Sequence, residues 1–123
     1  MFTHSEIEAI KAALEKLNRN AKQAVIVVEG KKDAAALKHL VNPGRFFLVN
    51  NGKKRSLYES AEKLAEKYRK AVLLLDADAK GKRLSKMLTS YLQQNGVSVT
   101  SGTQILNLTR RQNVEALASL QLE

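Results

Sequence analysis

Three carboxylates stand where a sheet could deliver them to one place. Glu29 follows the continuous β-branched run Ala24-Val25-Ile26-Val27-Val28, and Asp76 and Asp78 follow Ala71-Val72-Leu73-Leu74-Leu75. Carboxylates gathered without a paired base repel one another, and a hard divalent cation relieves that repulsion. Mg²⁺ takes one or two carboxylates and completes its shell with water and phosphate oxygens. Asp76 and Asp78, two residues apart, face the same way if the chain between them is extended. Glu29 can be a third ligand or a general acid or base beside the metal, because a carboxylate among others holds its proton more tightly.

Cations crowd the same positions in the chain. Lys31 and Lys32 follow Glu29; Lys53, Lys54 and Arg55 follow the second apolar strand; Lys80, Lys82, Arg83 and Lys86 follow Asp78; Arg110 and Arg111 come after the fourth. An acidic centre ringed by cations suits a phosphodiester backbone, with the metal at the reacting phosphate and the cations along the chain. Gly30, Gly52 and Gly81 fall in three of these loops, where a missing side chain lets a ligand approach the backbone.

The elements that must position these residues alternate. Apolar spacing predicts a helix over 5–18, capped by Ser5, then a strand at 24–28 and a helix from Lys32 to Leu40 stopped by Asn42-Pro43-Gly44. A strand at 45–49, a helix capped by Ser56 with Glu59 at capping-box spacing, a strand at 71–75 and a helix over 79–94 closed by Asn95-Gly96 follow. A weaker strand at 97–99, with an apolar pattern that extends toward Ile105, and a short helix over 113–120 complete the chain. Apolar strands buried on both faces and alternating with helices mean an α/β sandwich around a mostly parallel sheet. The order 2-1-3-4 would make the first and third strands neighbours at the switch point where such sheets bind ligands. The chain reads as a single domain, 1–123.

Composition removes other chemistries. The 123 residues include 21 Lys and Arg against 12 Asp and Glu, a net charge of +9, so an acidic or phosphate-bearing partner is expected. No cysteine is present, which excludes disulfides, thiolate metal sites and Cys nucleophiles. His4 and His39 are too few for a multi-histidine zinc site. No apolar segment approaches the roughly 20 residues of a membrane span, and the start lacks a secretory leader, so the expected address is the cytoplasm. No phosphate-binding G-x-x-x-x-G-K-[ST] loop occurs. A phospho-acceptor receiver would place an acidic pair after the first strand, where Glu-Gly stands, and a lysine after a fifth strand that is not evident.

The residues resemble a known family. Val27-Val28-Glu29-Gly30-Lys31-Lys32-Asp33, followed by Ala36-Leu37, resembles the first motif of the Toprim domain. Leu74-Leu75-Asp76-Ala77-Asp78, followed by Gly81, is similar to its second, the D-x-D with a nearby glycine. Toprim domains occur in topoisomerases, DnaG-type primases, RecR recombination mediators, OLD-family nucleases and a ribosomal RNA maturase. The resemblance covers 24–99, and Asn50-Asn51-Gly52-Lys53 with Asn113-Val114-Glu115-Ala116-Leu117 is similar to small stand-alone archaeal Toprim proteins. It implies a three-layer Rossmann-type sandwich, Glu29 as general acid or base, and Asp76 and Asp78 as ligands of Mg²⁺, with Mn²⁺ able to substitute. It also implies nucleic acid, RNA or DNA, as ligand.

Departures narrow the activity. Type IA topoisomerases take a nucleophilic tyrosine from another domain, and Tyr58, Tyr68 and Tyr91 all fall in predicted helices. The zinc module of primases needs cysteines. Lys80 stands near where some Toprim enzymes carry a third aspartate. Asp33 sits in the first turn of a helix, where a carboxylate meets the helix dipole favourably, and that role is preferred to a ligand role. The expected function is a Mg²⁺-binding, nucleic-acid-binding Toprim protein acting as a nuclease or related phosphodiester enzyme. The alternative is a non-catalytic nucleic-acid or ribonucleoprotein module that works with protein partners.

Overall fold

The computed structural model describes residues 1–42, 44–50 and 55–122. Strands β1 (Val25–Val28), β2 (Phe46–Leu48), β3 (Lys70–Leu73) and β4 (Ser98–Ser101) form one parallel sheet in the order β2-β1-β3-β4. Ile26 lies between Phe46 and Val72, so the two central strands and the β2 edge are in register across the middle of the sheet. The expected topology is therefore the observed one.

All four residues of β1 are buried, as a β-branched run covered on both faces requires. Alternation along the strand divides the core in two. Ile26 and Val28, with Val72 and Leu74 of the third strand segment, pack against Ile10 and Leu17 of α1 (His4–Ala21), Leu37 of α2 (Lys31–Leu37) and Leu106 of α5 (Gln104–Leu108). Val25 and Val27 pack with Leu73 and Leu75 against Leu64 of α3 (Leu57–Lys67) and Leu88 and Leu92 of α4 (Ala79–Gln94). A final 3₁₀-helix, Val114–Ser119, returns Val114 and Leu117 to the first of these layers.

Several boundaries differ from the periodicity. The first helix begins at His4 rather than Ser5, because Thr3 is its cap: the Thr3 hydroxyl accepts the Glu6 N–H and the Glu6 carboxylate accepts the Thr3 N–H. It runs on to Ala21, three residues past 18. The second helix ends at Leu37, and the closing element over 113–120 is a 3₁₀-helix capped by Asn113. The apolar residues near Ile105 are the short helix α5 and not a continuation of β4. The α3 capping box of Ser56 and Glu59 forms as expected, and α4 has its expected limits, ending where Gly96 adopts φ +82°. No helix among the described residues is long and apolar enough to cross a membrane.

Candidate functional site

The site grows from the carboxyl ends of β1 and β3. Past β1, the Glu29 carbonyl accepts the Asn50 N–H at 2.8 Å, tying its backbone to the segment after β2. The chain then enters α2: Gly30 N–H donates to Asp33 Oδ2 at 3.0 Å, and Gly30 C=O accepts the Ala34 N–H. Past β3, Leu74 N–H still pairs with Val27 C=O, which carries Leu75 and Asp76 out level with Glu29. Asp76 Oδ1 accepts the Val114 N–H at 2.8 Å, so the closing 3₁₀-helix is pinned to this carboxylate. Asp78 Oδ1 accepts the Gly81 N–H at 2.7 Å and caps α4.

These ends enclose an open pocket of about 460 Å³. Four carboxylates line it: Glu29, Asp33, Asp76 and Glu115. Lys31 and Lys32 stand beside them, with the amides Asn50 and Asn113. Asp78 is exposed and lies outside the pocket, so Glu29, Asp76 and Asp78 do not converge there as a trio. The reason is local: the chain turns into α4 immediately after Asp76, and Asp78 serves as that helix's cap. Asp33 and Glu115 stand in the pocket instead.

The electrostatics follow from this crowding. Asp33 holds its proton above the ordinary aspartate range, first because it is partly buried and then because Asp76, Glu29 and Glu115 are negative; the Gly30 N–H opposes the shift. A carboxylate with a raised folded-state pKa costs stability when ionised, and the cost vanishes once pH falls below the unfolded pKa. Asp33→Asn keeps an oxygen for the Gly30 N–H and loses the charge. We expect it to melt higher than the parent protein at neutral pH, with the difference closing as pH is lowered through the carboxylate range. Paired melting curves across that range check this; an unchanged difference at every pH would contradict it.

The Glu29 side chain makes no hydrogen bond among the described residues and only one loose ion pair. Its Oε2 lies 3.8 Å from Lys80 Nζ, and the lysine side chain is 75% exposed, so the pair is weak and Lys80 is free to turn to an incoming anion. Asp76 uses one oxygen for Val114 and has the other unbonded among the described residues. Hard oxygen donors of this kind suit Mg²⁺. Among the described residues no three acidic or histidine side chains sit close enough to enclose a metal. The donor set therefore fits an ion that keeps most of its water or takes phosphate oxygens, and does not fit a cation caged by protein alone.

The cations divide. Lys31 and Lys32 line the pocket and Lys80 reaches Glu29. Lys82 and Arg83 are exposed on the first turns of α4, and Arg55 is half-buried before α3. Gly52, Lys53 and Lys54 lie outside the described residues. Arg110 and Arg111 are engaged within the fold: Arg110 pairs with Glu6 and stacks over Phe2, and Arg111 donates to the carbonyls of Ala116 and Thr109.

The glycines divide too. A Cβ on Gly30 would meet no atom within 4 Å, and Gly30 borders the pocket. Gly30→Ala should fold with a melting temperature near that of the parent, so any weakening of ligand binding in it reports on the space the ligand needs. A folding defect would contradict this. Gly81 is different: its Cβ would fall 1.9 Å from the Asp76 carbonyl oxygen, so its smallness serves the packing of α4 on the strand end.

A parallel 2-1-3-4 sheet with an acidic pocket over its central strands is the class of protein this geometry defines. The chain belongs to the Toprim domain family, whose model matches residues 24–107. It is 35% identical over 92 residues to a UPF0292 protein of Methanosarcina barkeri, a match covering 74% of this chain and 62% of that one. It is 32% identical over 95 residues to a UPF0292 protein of Methanocaldococcus jannaschii, covering 76% and 72%. Among solved structures, a protein from Aquifex aeolicus superposes with a TM-score of 0.71 at 25% identity, covering 86% of this chain and 95% of that one. The zinc-binding and RNA polymerase domains of the Aquifex aeolicus primase superpose with a TM-score of 0.54 at 19% identity over 86% of this chain and 27% of that one, a likeness of fold.

Proposed function

We propose that the strand-end pocket binds Mg²⁺ together with a nucleic-acid phosphodiester, and that the protein is a metal-dependent phosphodiester-processing enzyme of the nuclease type. The observation that carries this reading is the grouping of Glu29, Asp33, Asp76 and Glu115 around one pocket with Lys31, Lys32 and Lys80 at its edge. Acids without cations would repel a phosphate, and cations without acids would not retain a divalent ion. Membership of the Toprim family supports nucleic acid as the ligand class.

When bound, Mg²⁺ supplies charge neutralisation at the phosphate and a more acidic water. The chain's own groups do the rest. Asp76 would hold the ion, and Asp78, exposed outside the pocket, would join it only through the ion's water shell. Lys31, Lys32 and Lys80 orient the phosphate oxygens, with Arg55, Lys82 and Arg83 as further cations for the backbone. As Lys80 turns to the phosphate it releases Glu29, which then takes a proton from the attacking group or gives one to the leaving oxygen. Gly30, with open space beside it, admits the phosphate to the backbone.

The test is cleavage of labelled single- and double-stranded RNA and DNA with Mg²⁺ or Mn²⁺, beside Glu29→Gln. Metal-dependent cleavage, lowered at least a hundredfold in the variant, is the expected result for a lost acid–base group. Equal cleavage by both proteins would overturn the role of Glu29. A second reading, a binding module that leaves chemistry to protein partners, is favoured by Asp78's engagement as a helix cap; binding without cleavage under every metal condition would select it.

A further inference from the structure

A group of cations without neighbouring acids in its connections lies at the other end of the sheet. The four connections that lead into the strands, residues 19–24, 38–45, 67–70 and 94–98, carry seven Lys or Arg and no Asp or Glu. The pocket end, by contrast, sets its cations among Glu29, Asp33, Asp76, Asp78 and Glu115. Arg19, Lys22, Arg45, Arg69 and Lys70 are all exposed. They are also brought together. The Arg45 guanidinium donates to the Lys22 carbonyl at 2.9 Å, Lys70 Nζ donates to Gln23 Oε1 at 3.2 Å, and the Arg69 carbonyl accepts the Ser98 N–H at 2.9 Å. The ion pairs among the described residues engage none of these five cations. Beside them lies a groove of about 400 Å³ whose polar side chains are Arg19, Asn20, Gln23, Lys70, Ser98 and Thr100.

We propose that this end of the sheet is a second, sequence-independent nucleic-acid surface, separate from the pocket. Lys, Arg, Ser, Thr, Asn and Gln are the side chains that hold phosphate oxygens. A protein partner would instead need apolar anchors. The exposed large apolar residues, Met1, Tyr58 and Met87, belong to none of the four connections. The 16 residues of α4 run between the two ends, about 24 Å at 1.5 Å per residue. That exceeds the screening length of roughly 8–10 Å at physiological salt, so charge changes at one end leave the other unaffected. A nucleic acid long enough to span both ends is held by its backbone at one while a single phosphodiester occupies the other.

The experiment measures binding of labelled single-stranded and duplex DNA and RNA in EDTA across a salt series. It compares the parent protein, Lys11→Gln and the quadruple change Arg19→Gln, Lys22→Gln, Arg69→Gln and Lys70→Gln. The quadruple variant should bind at least tenfold more weakly, with a slope of log affinity against log salt shallower by about 3, from 0.7–0.9 per lost phosphate contact. The pair variants Arg19→Gln with Lys70→Gln, and Lys22→Gln with Arg69→Gln, should each lose about half that slope, which keeps the result readable if the quadruple variant folds poorly. Lys11→Gln, an exposed cation of α1 outside both the pocket and this surface, should bind as the parent does, and EDTA removes any metal-held contribution of the pocket, so a failed pocket and a failed basic surface give different patterns. Parent-like affinity and slope in folded quadruple or pair variants would overturn the proposal. Displacement of the oligonucleotide by polyglutamate as effectively as by RNA at equal charge would also overturn it, by assigning the surface to acidic protein.

Discussion

Gly81→Ala is expected to lose about 3 kcal/mol or more of folding stability, at the upper end of overpacking costs. The added Cβ would stand 1.9 Å from the Asp76 carbonyl oxygen and 2.6 Å from its carbon, and both are backbone atoms. Neither neighbour yields easily. The chain at Asp76 continues a strand buried on both faces, and Ala77 N–H is bonded to the Gln112 carbonyl at 2.6 Å. The other side is the first turn of α4, whose Leu88 and Leu92 fill the second core layer. Moving the helix breaks the Asp78 cap, and moving the strand end disturbs the pocket. Urea unfolding of the variant should show the loss as a lower midpoint; a change below about 1 kcal/mol, within the range of ordinary substitutions, would contradict the packing assigned to Gly81. The contrast with Gly30→Ala is diagnostic, because both glycines border the same strand ends and only one is needed by the fold.

The second large effect separates structure from ligand binding at Asp76. Asp76→Asn keeps an oxygen for the Val114 N–H and removes the negative charge. It should fold as the parent does and lose divalent-cation affinity at least tenfold, the lower end of what disturbing even an outer-shell metal partner costs. Asp76→Ala removes both functions. Val114 is 1% exposed, so its N–H would be left without a partner at a cost of about 1–3 kcal/mol. Calorimetric titration with Mn²⁺ and thermal melting of both variants check the pair. Equal melting losses in Asn and Ala would show that the charge, and not the hydrogen bond, holds the closing 3₁₀-helix.

The sheet was legible because its signals are local and strong. Val25–Val28 can be little other than a strand buried on both faces, and Gly96 can end α4 because glycine tolerates φ +82°. The order 2-1-3-4 expected of such a sheet puts Glu29 and Asp76 after adjacent strands, and the parallel pairing of β1 with β3 is that order. The C-terminal elements were less readable. Five residues, Gln104–Leu108, are too few to display a helical period, and Ile105 and Leu106 read equally well as strand. The pocket's composition was partly hidden for a different reason. Asp33 and Glu115 are 82 positions apart in the chain, and only the packing of the closing 3₁₀-helix brings Glu115 to the pocket that Asp33 lines. Asp78 carries the signature of a ligand and of a helix cap at once, and spacing alone does not separate them. The cations of the basic end come from three separate connections, so no stretch of sequence announces it.

The central claim is that the strand-end pocket is where a divalent cation binds, and paramagnetic broadening tests it most directly. Substoichiometric Mn²⁺ added to ¹⁵N-labelled protein should broaden the amide signals of Gly30, Asp76 and Val114 first, excess Mg²⁺ should restore them, and Asp76→Asn should show the broadening only at much higher Mn²⁺. Uniform broadening, broadening centred on other carboxylates such as Glu59 and Glu62 of α3, or an identical response in Asp76→Asn would contradict the account.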